Sequence, residues 1–200
     1  MVWENAELNI SKEEITIESI TKINDKLVMH IAETELMKKF AEVVTKNGGD
    51  ILEIGFGMGL SASEIQTYNI KSHTIIERHP QIYKLACEWA KDKPNVNIIF
   101  GDWYQVVPNL TKKFDGIFHD THHDLKKESF PKMVKSIANK DCILTMFNYG
   151  RDAKFGNTDV IKFKLDKDGA DYFKMDFFNI IYSHFVKGNW TSKKTKINVI

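Results

Sequence analysis

The chain has 200 residues, 42% hydrophobic and 28% charged, a globular make-up whose length suggests a single domain over residues 1–200. Folding at this size buries roughly 70% of the surface that the unfolded chain exposes, so a core forms without disulfide or metal staples. Lys+Arg 28 against Asp+Glu 27 leaves a formal charge of +1, too weak a field to point to nucleic acid or an anionic membrane as partner.

The first residues, Met1-Val2-Trp3-Glu4, lack the basic and apolar regions of a secretion signal. No uninterrupted apolar run exceeds three residues, so no spanning helix is expected. Residues 1–25 read as a polar leader or lid with a short helix near 13–23. Over 29–44 a helical stripe carries Met29, Ala32, Leu36, Met37, Phe40, Val43 and Val44, and Asn47-Gly48-Gly49 ends it. Strand and helix patterns then alternate: strand 50–54, helix 61–68, strand 73–76, helix 80–91, strand 96–100, short helix 103–107, strand 114–119, helix 126–138 and strand 142–147. Strands separated by helices predict an α/β fold, a doubly wound, mostly parallel sheet with helices on both faces. In the tail, strands at 177–186 and 194–200 joined through Gly188-Asn189 predict a C-terminal antiparallel hairpin. Lys193, Lys194 and Lys196 read as a solvated face. Cys87 and Cys142 form no CxxC pair, which argues against a zinc ribbon or disulfide framework and for a reducing, cytoplasmic setting.

Glu53-Ile54-Gly55-Phe56-Gly57-Met58-Gly59 stands where the first parallel strand yields to a helix. Glycine there permits a tight turn and a close backbone approach to a ligand. Leu60 occupies the place of the last glycine of a GxGxxG fingerprint, which argues against NAD, and no Gly-Lys-Ser/Thr follows to make a P-loop. A simple strand-to-helix connection is the alternative. Polar residues recur at the ends of successive strands: Glu77, Asp102, Asp120 and Asn148. Ligands of open parallel sheets bind along that edge. Glu77 follows Glu53 by 24 positions, near the spacing at which an acid meets ribose hydroxyls, and Asp102-Trp103 offers an acceptor beside an aromatic face for adenine. Each acid could instead cap the following helix.

Glu53 to Gly59, Ile75-Ile76-Glu77-Arg78-His79-Pro80 and Phe114-Asp115-Gly116-Ile117-Phe118-His119-Asp120-Thr121, with Val28-Met29-His30-Ile31-Ala32-Glu33-Thr34 upstream, resemble class I S-adenosylmethionine-dependent methyltransferases with a Rossmann-like fold. Within these, the resemblance is to guanidinoacetate N-methyltransferases and protein-arginine δ-N-methyltransferases, over roughly residues 26–148. It implies S-adenosylmethionine as cofactor, held by Met29, Met37, Glu53, Gly55, Phe56, Gly57, Met58, Glu77, Arg78, Asp102, Trp103 and Asp120. It further implies that Glu33 and Asp120 are catalytic and hold a guanidino group, and that Asn148, Tyr149, Gly150 and Arg151 meet the rest of the substrate. Tyr149-Gly150-Arg151 departs from the Leu-Thr-Ser of the guanidinoacetate enzymes, and His122 replaces a tyrosine. Arg151 would grip a substrate carboxylate or point to solvent beside Asp152.

Glu33 also stands out without the resemblance, because it shares the inward stripe of Leu36, Met37 and Phe40 at the helix end that lies level with the strands' C-terminal ends. A capping or salt-bridged glutamate is the alternative. A guanidinium is planar, cationic and has no nucleophilic lone pair to offer, so its methylation calls for groups that grip its N–H fork and remove a proton; carboxylates do both. His119-Asp120-Thr121-His122-His123-Asp124 invites a metal reading, but its spacing matches no familiar metal motif and alternation sends His119 and Asp120 to opposite faces; no metal is expected. The expected activity is direct methyl transfer to a small guanidine such as guanidinoacetate or arginine, with a peptidyl arginine or a non-catalytic adenosyl-ligand-binding role as alternatives. A homodimer is compatible with the sequence.

Overall fold

The computed structural model describes residues 5–17, 27–121, 127–147 and 158–193. The N-terminal part is an antiparallel three-stranded sheet of β1 (Leu8–Ile10), β2 (Glu14–Ile17) and β3 (Leu27–His30). Over 14–17 this corrects the helix expected near 13–23, whose residues 18–23 lie outside the described residues. Ile15 and Ile17 turn inward while Glu14 and Thr16 stay half-exposed, the two-residue period of a strand, and Ile15 faces both Ile10 and Met29 across the ladder. The helix expected over 29–44 also starts later. His30 closes a capping box, its Nδ1 accepting from the Ala32 N–H and its own N–H donating to Glu33, so the chain passes through a 3-10 turn, Ile31–Glu33, before α1 (Thr34–Val44) begins.

The alternation that follows is β4 (Asp50–Ile54), α2 (Leu60–Ile65), β5 (Ser72–Glu77), α3 (Pro80–Trp89), β6 (Val96–Phe100), α4 (Trp103–Val106), β7 (Phe114–His119), α5 (Phe130–Met133) and β8 (Ala138–Met146). The single helix expected over 126–138 is instead the short α5 between 3-10 turns at Lys127–Ser129 and Val134–Ile137. Pro131 at its start has no N–H to continue a helix from upstream, and Ala138 already pairs with Phe114 in the sheet. The tail adds β9 (Asp159–Lys164), α6 (Lys167–Phe173), β10 (Phe177–Val186) and β11 (Asn189–Thr191); β9 and α6 were not expected. The hairpin turns at Lys187 and Gly188, both at positive φ, so Val186 pairs with Asn189 as in a two-residue hairpin. Its second strand is therefore β11, and 194–200 lies outside the described residues. Among the described residues no helix is long and apolar enough to cross a membrane.

The large sheet has the order β11-β10-β8-β7-β4-β5-β6, with β9 also paired to β10. Strands β4 to β8 are mutually parallel, whereas β9, β10 and β11 run antiparallel to their neighbours. Helices cover both faces, so the doubly wound Rossmann-like fold is the one observed. On one face Phe40 of α1 stacks on Phe118 of β7, with ring centroids 5.0 Å apart, and meets Phe147 and Phe178. On the other, Trp103 and Phe130 pack among Leu52, Ile54, Ile117 and Leu144. The small sheet docks on the first of these layers: Leu8, Ile15 and Ile17 pack with Phe56, Ile75 and Ile82, and Ala6 O meets His79 Nε2 at 2.9 Å.

α1 approaches the sheet tightly at Gly116 in β7, where a Cβ would stand 2.1 Å from the backbone oxygen of Val44 at the end of α1. A backbone atom cannot swing aside. Gly116→Ala should therefore cost about 1–3 kcal/mol as an overpacking substitution, read as a fall in Tm of roughly 2–4 °C per kcal/mol. An unchanged melting curve would show that α1 rides loosely on the sheet.

Candidate active site

β4 lies between β5 and β7, and the chain runs outward from β4 to β6 before crossing back to β7. The strand order therefore reverses between β4 and β7, and the connections leaving their C-terminal ends diverge and open a crevice. Its backbone is pinned on both sides: Gly55 N–H donates to Ile76 O and Asp120 N–H to Ile54 O, each at 2.9 Å. A cavity of about 360 Å³ occupies the crevice, walled by Met29 and Glu33, by Gly55, Phe56 and Gly57, by Glu77 and Arg78, by Gly101 and Trp103, by Asp120 and Thr121, and by Phe147, Tyr172 and Phe173.

The two ends of the cavity differ chemically. At one, the buried Glu77 carboxylate accepts from the N–H groups of Phe56 (2.9 Å) and His79 (2.7 Å). Burial pushes its pKa up against the lowering effect of these N–H donors. Gly55 has φ +88° and a Cβ there would lie 1.9 Å from Asp120 O, so only glycine lets the loop form this wall. Beside it, Met29 Sδ approaches Met58 N at 3.2 Å. A fixed carboxylate, a bare backbone wall and the buried indole of Trp103 suit a nucleoside with a polar tail, and S-adenosylmethionine is such a molecule.

At the other end Glu33 and Asp120 face the same space. Glu33 is 6% exposed, and its Oε1 accepts from His30 N–H at 3.0 Å and from the Tyr172 hydroxyl at 3.3 Å. Burial and the neighbouring Asp120 charge push the Glu33 carboxyl up to about 8, against these two donors. Two acids in one enclosed space, one of them driven toward its neutral form, are an arrangement that a bound cation relieves.

Of the residues proposed from sequence, the structure brings Met29, Glu33, Gly55, Phe56, Gly57, Glu77, Arg78, Trp103 and Asp120 to the cavity wall. It sets others elsewhere. Met37 is fully buried in the core under α1, because its place on the helical stripe points it at the sheet. Glu53 is fully buried beneath the loop, accepts from the Ser61 hydroxyl and lies 2.9 Å from His73 Nε2; Ser61, not Glu53, reaches the cavity. Met58 packs against the core from the loop. Asp102 accepts from Tyr104 N–H at 3.0 Å and caps α4, the capping alternative noted above. Asn148, Tyr149, Gly150 and Arg151 lie outside the described residues, as do His122, His123 and Asp124 of the metal reading. His119 packs at 4.2 Å on the Phe130 ring and on Trp103, away from the cavity that Asp120 faces. The sequence reading missed Phe147, Tyr172 and Phe173. Phe147 ends a strand that was anticipated, but nothing in Lys-Asp-Gly-Ala-Asp-Tyr-Phe marks α6 as part of a site.

A family model described as guanidinoacetate N-methyltransferase matches residues 1–149. Protein arginine N-methyltransferase 2 of Candida glabrata is 34% identical over 140 residues, 64% of this chain and 34% of that protein. Its counterpart in Saccharomyces cerevisiae is 38% identical over 112 residues, 51% of this chain and 27% of that one. The chain thus spans about a third or less of the length of these relatives. In fold it is similar to a spermidine synthase solved with the transition-state analogue AdoDATO, at TM-score 0.62 and 14% identity, covering 89% of this chain and 72% of the other.

The raised Glu33 carboxyl has a consequence for stability. The unfolded chain releases this proton near the ordinary glutamate value of 4.5 and the folded chain at about 8, so between those limits the folded state binds more protons and loses stability as pH rises. Glu33→Gln keeps the Oε1 acceptor and removes the charge. The variant should melt higher than wild type at pH 8, with a difference that shrinks toward pH 5; a constant offset across that range would show that Glu33 does not titrate there.

Proposed function

The chain belongs to the guanidinoacetate N-methyltransferase family of class I S-adenosylmethionine-dependent methyltransferases, and from that premise we propose that it methylates a nitrogen of a guanidino compound. The observation that carries this reading is the pair of acids Glu33 and Asp120, neighbours in charge, lining the same cavity as Glu77. Glu77 would hold the ribose hydroxyls of S-adenosylmethionine, Trp103 would flank the adenine, and the backbone of Gly55, Phe56 and Gly57 would follow the methionyl end. When bound, the cofactor supplies an electrophilic methyl group on a sulfonium.

The protein's own part is binding, orientation and proton removal. Glu33 and Asp120 grip the N–H fork of the guanidinium from two directions, as charge-assisted pairs do. Held this way, one nitrogen is turned toward the methyl group, and orientation of that kind lowers a barrier by up to roughly 7–11 kcal/mol. Asp120, which stands beside the glycine loop, takes the proton that the nitrogen gives up as its bond to carbon forms. Phe147 and Phe173, which line the same cavity, would keep water from the reacting nitrogen. A small guanidine is the first reading of the substrate. A peptidyl arginine is the second, supported by the protein-arginine names of the fungal relatives.

The test is a panel of guanidinoacetate, arginine, agmatine and an arginine-containing peptide, with mass detection of methylated product. Asp120→Asn should lower kcat by roughly 100-fold or more while S-adenosylhomocysteine still raises Tm. Glu77→Ala should abolish that rise, and NAD should produce none. Stabilisation by S-adenosylhomocysteine with no product from any guanidine would replace the enzyme by an adenosyl-ligand-binding protein.

A further inference from the structure

Tyr172 stands at the guanidino end of the cavity, although it comes from α6, beyond the stretch that the family model matches. Its hydroxyl donates to Glu33 Oε1 at 3.3 Å. Its ring stacks on the His30 imidazole, with centroids 5.1 Å apart and planes 16° from parallel, and edges onto Phe173 at 4.8 Å. His30 is itself fixed, because its Nδ1 accepts from Ala32 N–H. The phenol is therefore clamped between two rings with its oxygen directed at the acid.

We infer that Tyr172 is a positioning residue: it holds the Glu33 carboxylate in its charged, substrate-gripping orientation and so links the C-terminal segment to guanidine recognition. This rests on the reading that Glu33 meets the guanidino group. A hydroxyl donor favours the ionised carboxylate, and here it opposes two disfavouring influences, burial and the Asp120 charge. Among the described residues the donors on Glu33 are His30 N–H, from its own turn, and the Tyr172 hydroxyl. Across the cavity stand Glu77 and Arg78. Behind the Tyr172–His30 stack, a separate recess is lined by Glu35 of α1 and by Asp166, Asp168 and Asp171 around α6, which add negative potential. Asp166 is occupied in capping α6, and Glu35 pairs with Lys38 at 2.6 Å. The Tyr172 hydroxyl is thus the contact on Glu33 that can be deleted without touching the turn that carries it.

Tyr172→Phe keeps the ring and its stacking and removes only the donor. Two measurements on the full chain test the proposal. The first follows the Glu33 carboxyl carbon by NMR through a pH titration, in wild type and variant, without substrate. The midpoint should move to higher pH by about one unit, a tenfold change in the proton equilibrium; an unmoved midpoint overturns the proposal whatever the substrate is. The second compares kinetics with the best guanidine of the panel. The variant should show kcat/KM reduced roughly tenfold at pH 7, recovering toward wild type at high pH, with S-adenosylhomocysteine affinity unchanged. A pH-independent loss would mark Tyr172 as merely structural. Combined with Glu33→Gln, Tyr172→Phe should add no further loss, and additive losses would overturn the link. Failure of wild type to methylate any guanidine sinks the functional reading instead, and the titration tells the two failures apart.

Discussion

Between Gly55 and the backbone oxygen of Asp120 there is no room for a single added carbon atom. That contact is where β4 and β7, the two strands on either side of the reversal in strand order, stop running together. Because the loop after β4 is bare backbone at this point, it can turn under the end of β7 instead of being pushed away from it. The same turn brings the Phe56 N–H onto Glu77 at the end of β5. One steric condition thus sets the positions of the glycine wall, the Glu77 carboxylate and the Asp120 side chain together.

The rest of the cavity is built at a cost in stability. Glu33 is held nearly out of solvent next to a second acid, a placement that burial of hydrophobic groups elsewhere must offset. The offset is visible in the aromatic packing beneath it. Phe40 ties α1 to β7 and β10, and Phe147 and Phe173 continue that cluster up to the cavity. The antiparallel strands after β8 are therefore more than an edge closure. They support the layer from which Phe173 and Tyr172 reach the site.

How much of this was legible depended on whether the signal was local. The strands at 50–54, 96–100 and 114–119 appear with the expected bounds, because short apolar-rich runs between turn residues mark a strand from local sequence alone. Met29 fits a helical stripe equally well by period, but its strand is decided by pairing with β2, a partner that periodicity along one segment does not reveal. The same holds for Ile15 and Ile17. Of the candidate site residues, Gly55, Phe56, Gly57, Glu77 and Asp120 reached the cavity because topology puts the C-terminal ends of the parallel strands on one edge. Asp102 shared that position yet turned to cap α4; a strand end fixes where a residue starts, and the next backbone N–H decides where its side chain goes. Met37 shared the stripe with Glu33 but not its depth. Tyr172 left no trace, since a seven-residue helix with one aromatic pair has no pattern that distinguishes a site from a surface.

The two ends of the cavity are consequently specified in different ways. The nucleoside end uses backbone atoms and one carboxylate from β4 and β5, consecutive parallel strands whose geometry the sheet itself enforces. The end proposed to take the guanidine gathers Glu33 from before α1, Asp120 from after β7 and Tyr172 from α6, three segments brought together only by tertiary packing. A family match that stops at residue 149 covers every contributor to the first end and omits Tyr172 and Phe173 from the second. Substitutions after that point can change what the acids hold, through the phenol and the ring beside them, without disturbing the loop on which the cofactor would rest. That separation follows from the fold: the parallel strands fix the glycine loop and Glu77, whereas the surroundings of Glu33 depend on how α6 packs against the turn before α1.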